Sequence, residues 1–166
     1  MPILKILVYP NSRLKQTSSP VKGIDEAMKK FVSDLEETMK AGPSSVGIAA
    51  PQVGRFERIV IVDVSPKPNI PNHGRLILIN PQIISKQGSI KAREGCLSVP
   101  DYTGNVIRAE RIILKAIDLA GKNLTYRMRG FEARAVQHEI DHLDGLLFLD
   151  RLVGRRDNLF RRKVYK

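Results

Sequence analysis

The stretch Gln137-His138-Glu139-Ile140-Asp141-His142 holds two of the three histidines of this chain in one H-E-x-x-H pattern. Residues four apart lie on the same face of an α-helix, so the two imidazoles can bind one metal ion together. Glu139 lies between them as a candidate general base. The motif predicts a helix that carries two ligands of a catalytic metal, and the rest of the fold must supply a third.

The apolar pattern around the motif predicts a helix from about 131 to 143. Val136, Ile140 and Leu143 form one apolar stripe, the two histidines lie in the neighbouring stripe, and Gly145 follows the helix end. The helix is therefore expected to be buried over a wide face, with its metal ligands inside that face.

The only cysteine of the chain offers the missing ligand. Cys96 lies in Glu94-Gly95-Cys96-Leu97-Ser98, where Gly95 permits close backbone approach and the following residues predict a turn. An isolated cysteine is more often a small buried hydrophobic residue. A catalytic divalent metal, however, needs three protein ligands and an open position. One sulfur and two nitrogens suit Fe(II), Zn, Co or Ni rather than Mg or Ca.

Apolar spacing predicts another helix from about 25 to 41, with Asp25 as its N-cap and Gly42-Pro43 at its end. Strands are predicted at 58–64, 76–79, 83–85, 112–117 and 124–128, and the last two are joined by a turn at 121–123. Strands surround two helices without regular βαβ alternation. The pattern predicts an α+β fold, with antiparallel and mixed strands packed around a central metal-binding helix.

Length and composition predict one domain over residues 1–166, because 166 residues with 42% apolar content can bury a core. A single cysteine excludes an intramolecular disulfide and fits a reducing compartment. No apolar run reaches the roughly 18 residues that span a bilayer, and the first residues do not resemble a signal peptide. We expect a cytoplasmic protein without membrane contact, although an organellar protein after removal of its transit peptide would look the same.

The chain carries a net charge of +11, and residues 155–166 contribute six basic side chains and one acidic side chain. This balance favours polyanionic surroundings such as ribosomal RNA. With 5% aromatic residues and no nucleic-acid-binding motif, sequence-specific binding of nucleic acid is not expected. A solvated basic surface with a frayed tail is the alternative interpretation.

A third stretch, Ser45-Val46-Gly47-Ile48-Ala49-Ala50-Pro51-Gln52, is rich in small residues and by itself indicates a tight packing corner. Together with the other two stretches it resembles the three motifs of peptide deformylases, G-Φ-G-Φ-A-A-x-Q, E-G-C-Φ-S and Q-H-E-x-D-H, in that order. The second and third motifs match completely, and the first has Ser45 in place of its first glycine. The resemblance extends over nearly the whole chain, including Leu78-Ile79-Asn80-Pro81 and Gly130-Phe131.

The resemblance implies that the chain removes the formyl group from the N-terminal formyl-methionine of nascent polypeptides and releases formate. It implies one divalent metal ion per chain, Fe(II) in the cell, with Zn, Ni or Co in a purified sample. Cys96, His138 and His142 would hold this metal, and Glu139 would be the general base. By motif match, the side-chain amide of Gln52 and the backbone N–H of Leu97 would stabilise the oxyanion.

Further roles follow from the same resemblance. Gly47 would offer its backbone to an extended substrate. The other predicted substrate contacts are Ile48, Glu94, Gly95, Phe131 and Ala135, with Arg134 near the rim. Glu94 would orient the Cys96 turn, and Arg108 would pair with Asp141 to brace the metal helix.

The resemblance also implies a transient contact with the ribosome through the basic C-terminal tail, from about residue 155. The tail is predicted as a short helix whose apolar edge would be formed by Leu152, Leu159, Phe160 and Val164.

Two other functions remain open from the residues alone. A metallopeptidase that cleaves internal bonds also uses H-E-x-x-H, although its third ligand is usually His or Glu. A basic protein that docks on ribosomal RNA with a structural metal would need a fourth protein ligand. The chain has no second cysteine, and His73 lies in a proline-rich loop distant in sequence from the motifs.

Overall fold

The computed structural model describes residues 3–42, 45–154 and 158–161, and its elements confirm the predicted α+β class with two α-helices and antiparallel sheets. The helices are α1 (Glu26–Ala41) and α2 (Gly130–Leu143). The strands are β1 (Gly47–Ala49), β2 (Ile59–Val62), β3 (Leu76–Gln87), β4 (Ile90–Cys96), β5 (Val99–Arg108), β6 (Arg111–Ile117), β7 (Asn123–Arg129) and β8 (Leu159–Arg161). Short 3₁₀ segments lie at Ser12–Lys15, Ala50–Val53 and Phe148–Arg151.

The ends of both helices agree with the sequence signals. Asp25 caps α1, because its carboxylate accepts a hydrogen bond of 2.8 Å from the backbone N–H of Met28. Gly42 is the C-cap of that helix. Beyond α2, Gly145 has a φ of 76°, a left-handed conformation that glycine adopts without strain.

Within the described residues, eight strands form two sheets, one of five strands in the order β1-β2-β3-β6-β7 and one of three in the order β4-β5-β8. All strand pairs in the described ranges are antiparallel, so the prediction of mixed strands was wrong. The parallel contact in the same ranges is a single bridge between Ser19 and Glu57. The short connections of the β4–β5 and β6–β7 pairs, two and five residues long, reverse the chain and are too short for the crossover that a parallel pair needs.

The sequence predicted two short strands where the structure has one long strand, β3. The strand continues through Asn80 and Pro81, which the sequence pattern treats as a break. Two register shifts against β6, between Ile79 and Gln82 and between Ile83 and Ser85, absorb the irregularity. A bulged strand can thus pass through residues that normally end a regular one.

Sequence reasoning missed β1, β4 and β5 because their composition is not that of a typical strand. β4 reads Ile-Lys-Ala-Arg-Glu-Gly-Cys, and its side chains alternate between half-buried and exposed. The short β1 lies in the small-residue stretch that alone indicates a packing corner.

The predicted C-terminal helix was wrong where the structure describes that segment. Leu159 and Phe160 belong to β8, which pairs with β5 through Gly104 and Thr103. Leu152 forms a separate bridge with Val106. The other residues assigned to the tail, 155–157 and 162–166, lie outside the described ranges.

The two faces of the five-stranded sheet pack against different helices. One face, through side chains such as Val60, Leu78 and Leu114, packs on α2. The opposite face, through Ile59 and Ile61, packs on α1. In the described part of the chain, neither helix combines the length and the apolar character needed to cross a membrane.

Candidate active site and metal centre

The structure brings together the three predicted metal ligands, which come from two different elements. Cys96 is the last residue of β4, and His138 and His142 lie one turn apart on α2. Their potential ligand atoms all lie within 4.8 Å of one another. Cys96 Sγ is 3.3 Å from His142 Nε2. All three residues are buried.

A tight connection between β4 and β5 presents the cysteine. Cys96 pairs with Val99 across the two antiparallel strands, so Leu97 and Ser98 form the turn between them. The register shifts between Glu94 and Cys96. A shift of this kind changes the direction in which a side chain points, which helps the thiol to reach the helix.

A buried carboxylate fixes the first histidine of the motif. Glu94 Oε1 lies 2.8 Å from Nδ1 of His138, so a proton on Nδ1 leaves Nε2 free to bind a metal. Arg108 donates to both oxygens of Glu94, at 2.6 and 2.9 Å. Glu94 therefore contacts the histidine directly, whereas the expected role from the sequence was to orient the Cys96 turn.

The network continues from Arg108 along α2. Arg108 also donates to Asp141 Oδ2 at 2.8 Å, which is the pairing expected from the sequence. Arg151 donates to the two oxygens of Asp141 at 2.6 and 3.0 Å. No sequence signal pointed to Arg151, which follows the motif helix by eight residues. Two arginines and two carboxylates thus hold the helix that carries the histidines.

These contacts determine the charge states of Glu94 and Arg108, which lie behind the candidate metal ligands. Burial by itself would raise the pKa of Glu94, but hydrogen bonds from His138 and Arg108 outweigh it and lower the pKa to about 2. Burial opposes the positive charge of Arg108, yet Glu94 and Asp141 raise its pKa above the usual value. Both groups therefore remain ionised around neutral pH.

The pKa values of the two histidines are shifted in opposite directions. Burial disfavours a charged His138, but Glu139, Cys96 and Glu94 together raise its pKa well above the ordinary value. Burial and the neighbouring His138 lower the pKa of His142 well below that value. His142 is thus neutral and ready to donate a lone pair, whereas a metal must displace a proton from His138.

Glu139 is the buried carboxylate of the site that lacks a full set of partners. Its Oε1 is buried and has no hydrogen-bond partner, and it lies 3.9 Å from His142 Nε2. Burial raises the pKa of Glu139 to about 7, although the charge of His138 opposes the shift. A cation among the three ligands would lower this pKa again. Three N and S donors beside a free carboxylate oxygen fit a divalent metal with an open position for a reacting group.

Gln52 extends the site on the side of the thiol. Its Nε2 donates to Ser98 Oγ at 3.1 Å and makes a longer contact of 3.6 Å to Cys96 Sγ. Its Oε1 accepts from the backbone N–H of Ala49 at 2.9 Å, which fixes the orientation of the amide. Ser98 was not singled out from the sequence, although it closes the second motif.

A cleft of about 310 Å³ opens over the ligands. Most of the predicted site residues line it, together with Arg134 at the predicted rim and Ser45. The predicted residues in the lining are Gly47, Gln52, Glu94, Gly95, Cys96, Leu97, Phe131, Ala135, His138 and Glu139. His142 lies behind this wall, in the ligand cluster.

Ile48 was wrongly assigned to the substrate site. It is fully buried among the apolar residues that pack against α1, on the other side of β1. Gly47 is the residue of β1 that lies against Glu139. A Cβ added at Gly47 would lie only 2.6 Å from Glu139 Oε2, so the carboxylate occupies the space of a side chain.

Comparison with known proteins agrees with this geometry. The family model of polypeptide deformylases matches residues 3–158. The peptide deformylase of Thermodesulfovibrio yellowstonii is 41% identical over 163 residues, covering 98% of this chain and 97% of that protein. The peptide deformylase of Syntrophobacter fumaroxidans is 43% identical over 166 residues, covering 100% of this chain and 96% of that protein.

A solved structure of a peptide deformylase has the same fold as this chain. The class I type b peptide deformylase of Acinetobacter baumannii, with Met-Ala-Ser bound, superposes with a TM-score of 0.84 at 34% identity. The match covers 91% of this chain and 99% of that one. With a family match over residues 3–158, relatives that are 41% and 43% identical and a shared fold, the chain belongs to the polypeptide deformylase family.

Proposed function

We propose that this protein hydrolyses the N-formyl group of formyl-methionine at the start of nascent polypeptides, releasing formate and a free amino terminus. The observation that carries the proposal is the buried cluster of Cys96, His138 and His142 beside a carboxylate oxygen of Glu139 that has no partner. We take residues 1–166 as one catalytic domain that acts in the cytoplasm.

Cys96, His138 and His142 are the residues that would hold one divalent metal ion. A bound metal supplies Lewis acidity, which polarises the formyl carbonyl and makes water more acidic. We propose Fe(II) as the cellular metal, with Zn, Ni or Co able to replace it in a purified sample, because thiolate and imidazole ligands suit these ions. Anaerobic purification followed by metal analysis of the active protein tests this assignment.

Glu139 would carry out the proton transfers of the reaction. Its free Oε1 can accept the proton of the attacking water and later return it to the leaving amine. Burial raises the pKa of Glu139 to about 7, and a bound cation would lower it again, so that Glu139 would start the reaction as the carboxylate that accepts the proton. Gly47 leaves the space that this carboxylate occupies.

Two donors are available for the oxyanion that develops at the formyl carbon. The amide of Gln52 is held by Ala49 and Ser98, and its weak contact to Cys96 is the one that it can exchange for the substrate oxygen. The backbone N–H of Leu97 would be the second donor, since Leu97 lines the cleft directly after the thiol ligand.

The substrate would enter as an extended chain along β1. In the described part of the fold this strand pairs with β2 and lies at the edge of its sheet, so its other edge can accept another strand. The Met-Ala-Ser tripeptide bound to the relative from Acinetobacter baumannii is consistent with a peptide ligand. Phe131 and Ala135 on α2 would form the apolar wall of the methionine pocket.

The ribosome would be a transient partner, approached through the basic C-terminal tail from about residue 155. The tail carries five net positive charges. Since Leu159–Arg161 form β8, deletion of 155–166 would remove a strand. The better variant stops after Arg161 and removes only 162–166. Co-sedimentation with ribosomes at low and moderate salt, compared with the full chain, tests this contact.

The decisive experiment measures formate release from a formyl-methionyl peptide by the metal-loaded protein. An acetyl-methionyl peptide is the matched control substrate, and an internal peptide bond tests the metallopeptidase alternative. Cys96→Ala should lose both bound metal and formate release. A Cys96→Ala protein that keeps its metal would show that another residue is the third ligand.

A further inference from the structure

The large sheet has one face that α1 covers only in part. Ile48, Ile59, Ile61 and Ile79 mark the half of this face that packs on α1. Farther across the sheet, the same face continues over the second half of β3 and over β6 and β7. The opposite face of β6 and β7 is buried against α2 through Ile112, Leu114, Ala116 and Met128.

Strand alternation places cations on the uncovered half. Arg111 of β6 lies directly opposite Arg129 of β7, and Arg127 lies opposite Ile113. Lys115 follows on the same side of β6, opposite Thr125. All four basic side chains are exposed. We call Arg111, Lys115, Arg127 and Arg129 the basic sheet face.

No acidic residue balances these charges in the same rows of the sheet. The β3 partners on this side of β6 are Gln82, Ser85 and Gln87, all uncharged. Within the described ranges, no carboxylate lies within ion-pair distance of the four cations. Like charges directly opposite each other across a strand pair destabilise a sheet, so this arrangement has a cost to the fold.

At one end the basic sheet face borders a cavity of about 530 Å³. The three arginines line it, and Pro71, Asn72 and His73 close it from the α2 side of the sheet. The carboxylate in its lining is Glu132, which is engaged by His73 through the backbone N–H at 2.7 Å and Nδ1 at 2.6 Å. Three arginines outnumber this carboxylate around the cavity, so the local potential is positive and attracts anions.

We propose that the basic sheet face binds the sugar–phosphate backbone of structured RNA. Arg127 and Arg129 are two residues apart on a strand, about 6.8 Å, so they present repeated charges along a line. In the described rows this face has no aromatic side chain on which a base could stack, which favours contact with phosphates rather than bases. Ile113 is half-buried, so the face lacks an apolar anchor for a lipid surface.

The choice of RNA over DNA rests on the proposed function, because nascent formylated chains emerge at a ribosome whose surface is rich in RNA. The basic sheet face does not line the catalytic cleft. It would therefore bind independently of the reaction, and catalysis on a free peptide does not depend on it.

The test compares three variants of the full metal-loaded protein that each lose three positive charges. The first is Arg111→Gln/Arg127→Gln/Arg129→Gln. The second removes residues 162–166, and the third is Lys5→Gln/Lys15→Gln/Lys22→Gln, at three exposed lysines away from the sheet. Binding to an RNA duplex of about 20 base pairs is measured by fluorescence anisotropy between about 50 and 200 mM salt.

For the arginine variant we expect at least a tenfold loss of affinity at about 50 mM salt, and a salt slope lowered by about 2 to 3. The lysine control should lose less than about threefold, because its charges act only at long range. The unfolding midpoint of the arginine variant should be unchanged or slightly higher, since a like-charge pair is relieved. Formate release from a free peptide should be the same in all variants, which separates this test from that of the proposed function.

Three results would overturn the proposal. If the arginine and lysine variants lost the same RNA affinity, the binding would depend on net charge and not on the basic sheet face. A loss confined to the 162–166 deletion would assign the binding to the tail. If the arginine variant binds RNA normally but loses binding to phosphatidylglycerol vesicles, the partner of the basic sheet face is a lipid surface instead.

Discussion

The two helices of this fold are buried in opposite ways. α1 packs on the sheet mainly through apolar side chains such as Val32, Leu35 and Met39. α2 buries eleven of its fourteen residues, and six of the eleven are polar or charged. Burying so many polar groups is favourable only if each of them finds a partner.

Nearly all the buried polar groups of α2 find that partner in a distant part of the chain. Gln137 bonds to the backbone of Ala109 in both directions, at 3.1 and 2.8 Å. Glu132 bonds to His73, and Asp141 bonds to Arg108. Two atoms of this helix are exceptions, because Glu139 Oε1 and Arg134 Nε are buried without a hydrogen-bond partner. α1 thus stabilises the fold through apolar packing, whereas α2 is held by polar partners elsewhere in the fold and leaves Glu139 in the cleft with an unpaired oxygen.

The strongest test of this difference is Glu139→Gln. We expect kcat/KM for formate release to fall by at least about 10³-fold, because the proposed general base is removed while its shape is kept. The metal content should stay the same, and the free energy of unfolding should be unchanged or higher, because a buried carboxylate is neutralised. Near-normal formate release would show that another group takes the proton.

Arg108→Met tests whether the fold holds α2 through its ion pairs. Glu94 and Asp141 would lose their buried partner, which should lower the free energy of unfolding by about 3–5 kcal/mol. Urea unfolding of the metal-loaded protein measures the loss. Arg75→Met is the matched control, because Arg75 pairs with Glu36 while 53% of its side chain stays exposed, and it should cost about 1 kcal/mol or less. Equal losses in the two variants would contradict a special role for the buried network.

Leu35→Ala tests whether apolar packing of α1 stabilises the fold without affecting the active site. Leu35 is fully buried against the sheet, so truncation should lower the free energy of unfolding by about 3 kcal/mol. Formate release and metal content per folded molecule should not change, since α1 does not line the catalytic cleft. Lys29→Ala, at an exposed position of the same helix, should stay within about 0.5 kcal/mol of the parent. A change in kcat for Leu35→Ala would mean that α1 also positions the site.

Asp25→Ala is expected to have the smallest effect. It removes the N-cap hydrogen bond to Met28 and should cost about 1 kcal/mol of stability, measured as a shift in the urea midpoint. Glu26→Ala in the same turn makes no such bond and serves as its control. If both substitutions cost the same, the first turn of α1 depends on charge rather than on the cap.

The sequence predicted those parts of the fold where the local pattern and the packing agree. Both helices and the β6–β7 hairpin could be located because apolar residues recur at the period of the element. β4 and β5 could not, because their side chains are mostly polar and the strands are stabilised by pairing with each other. β3 was divided at Asn80 and Pro81, since nothing local shows that β6 can accommodate a bulge.

The candidate site could be predicted from the sequence for a different reason. Its ligands lie in short motifs whose chemistry can be stated residue by residue. Ile48 was misplaced because the stretch was not recognised as a strand, in which neighbours face opposite sides: Gly47 lies against Glu139, and Ile48 packs towards α1. Arg151 was missed because its pairing with Asp141 depends on the path of the chain after α2.

The strand β1 is only three residues long, and this shortness has a consequence for the range of proteins that the enzyme can process. A peptide that pairs with such an edge is recognised through its main chain, which is the same in every protein. The strand is also too short to pair with more than the first few residues of a substrate peptide. A processing enzyme with this design would tolerate most sequences beyond those first residues, so a single active site could act on nearly every chain that begins with the same residue.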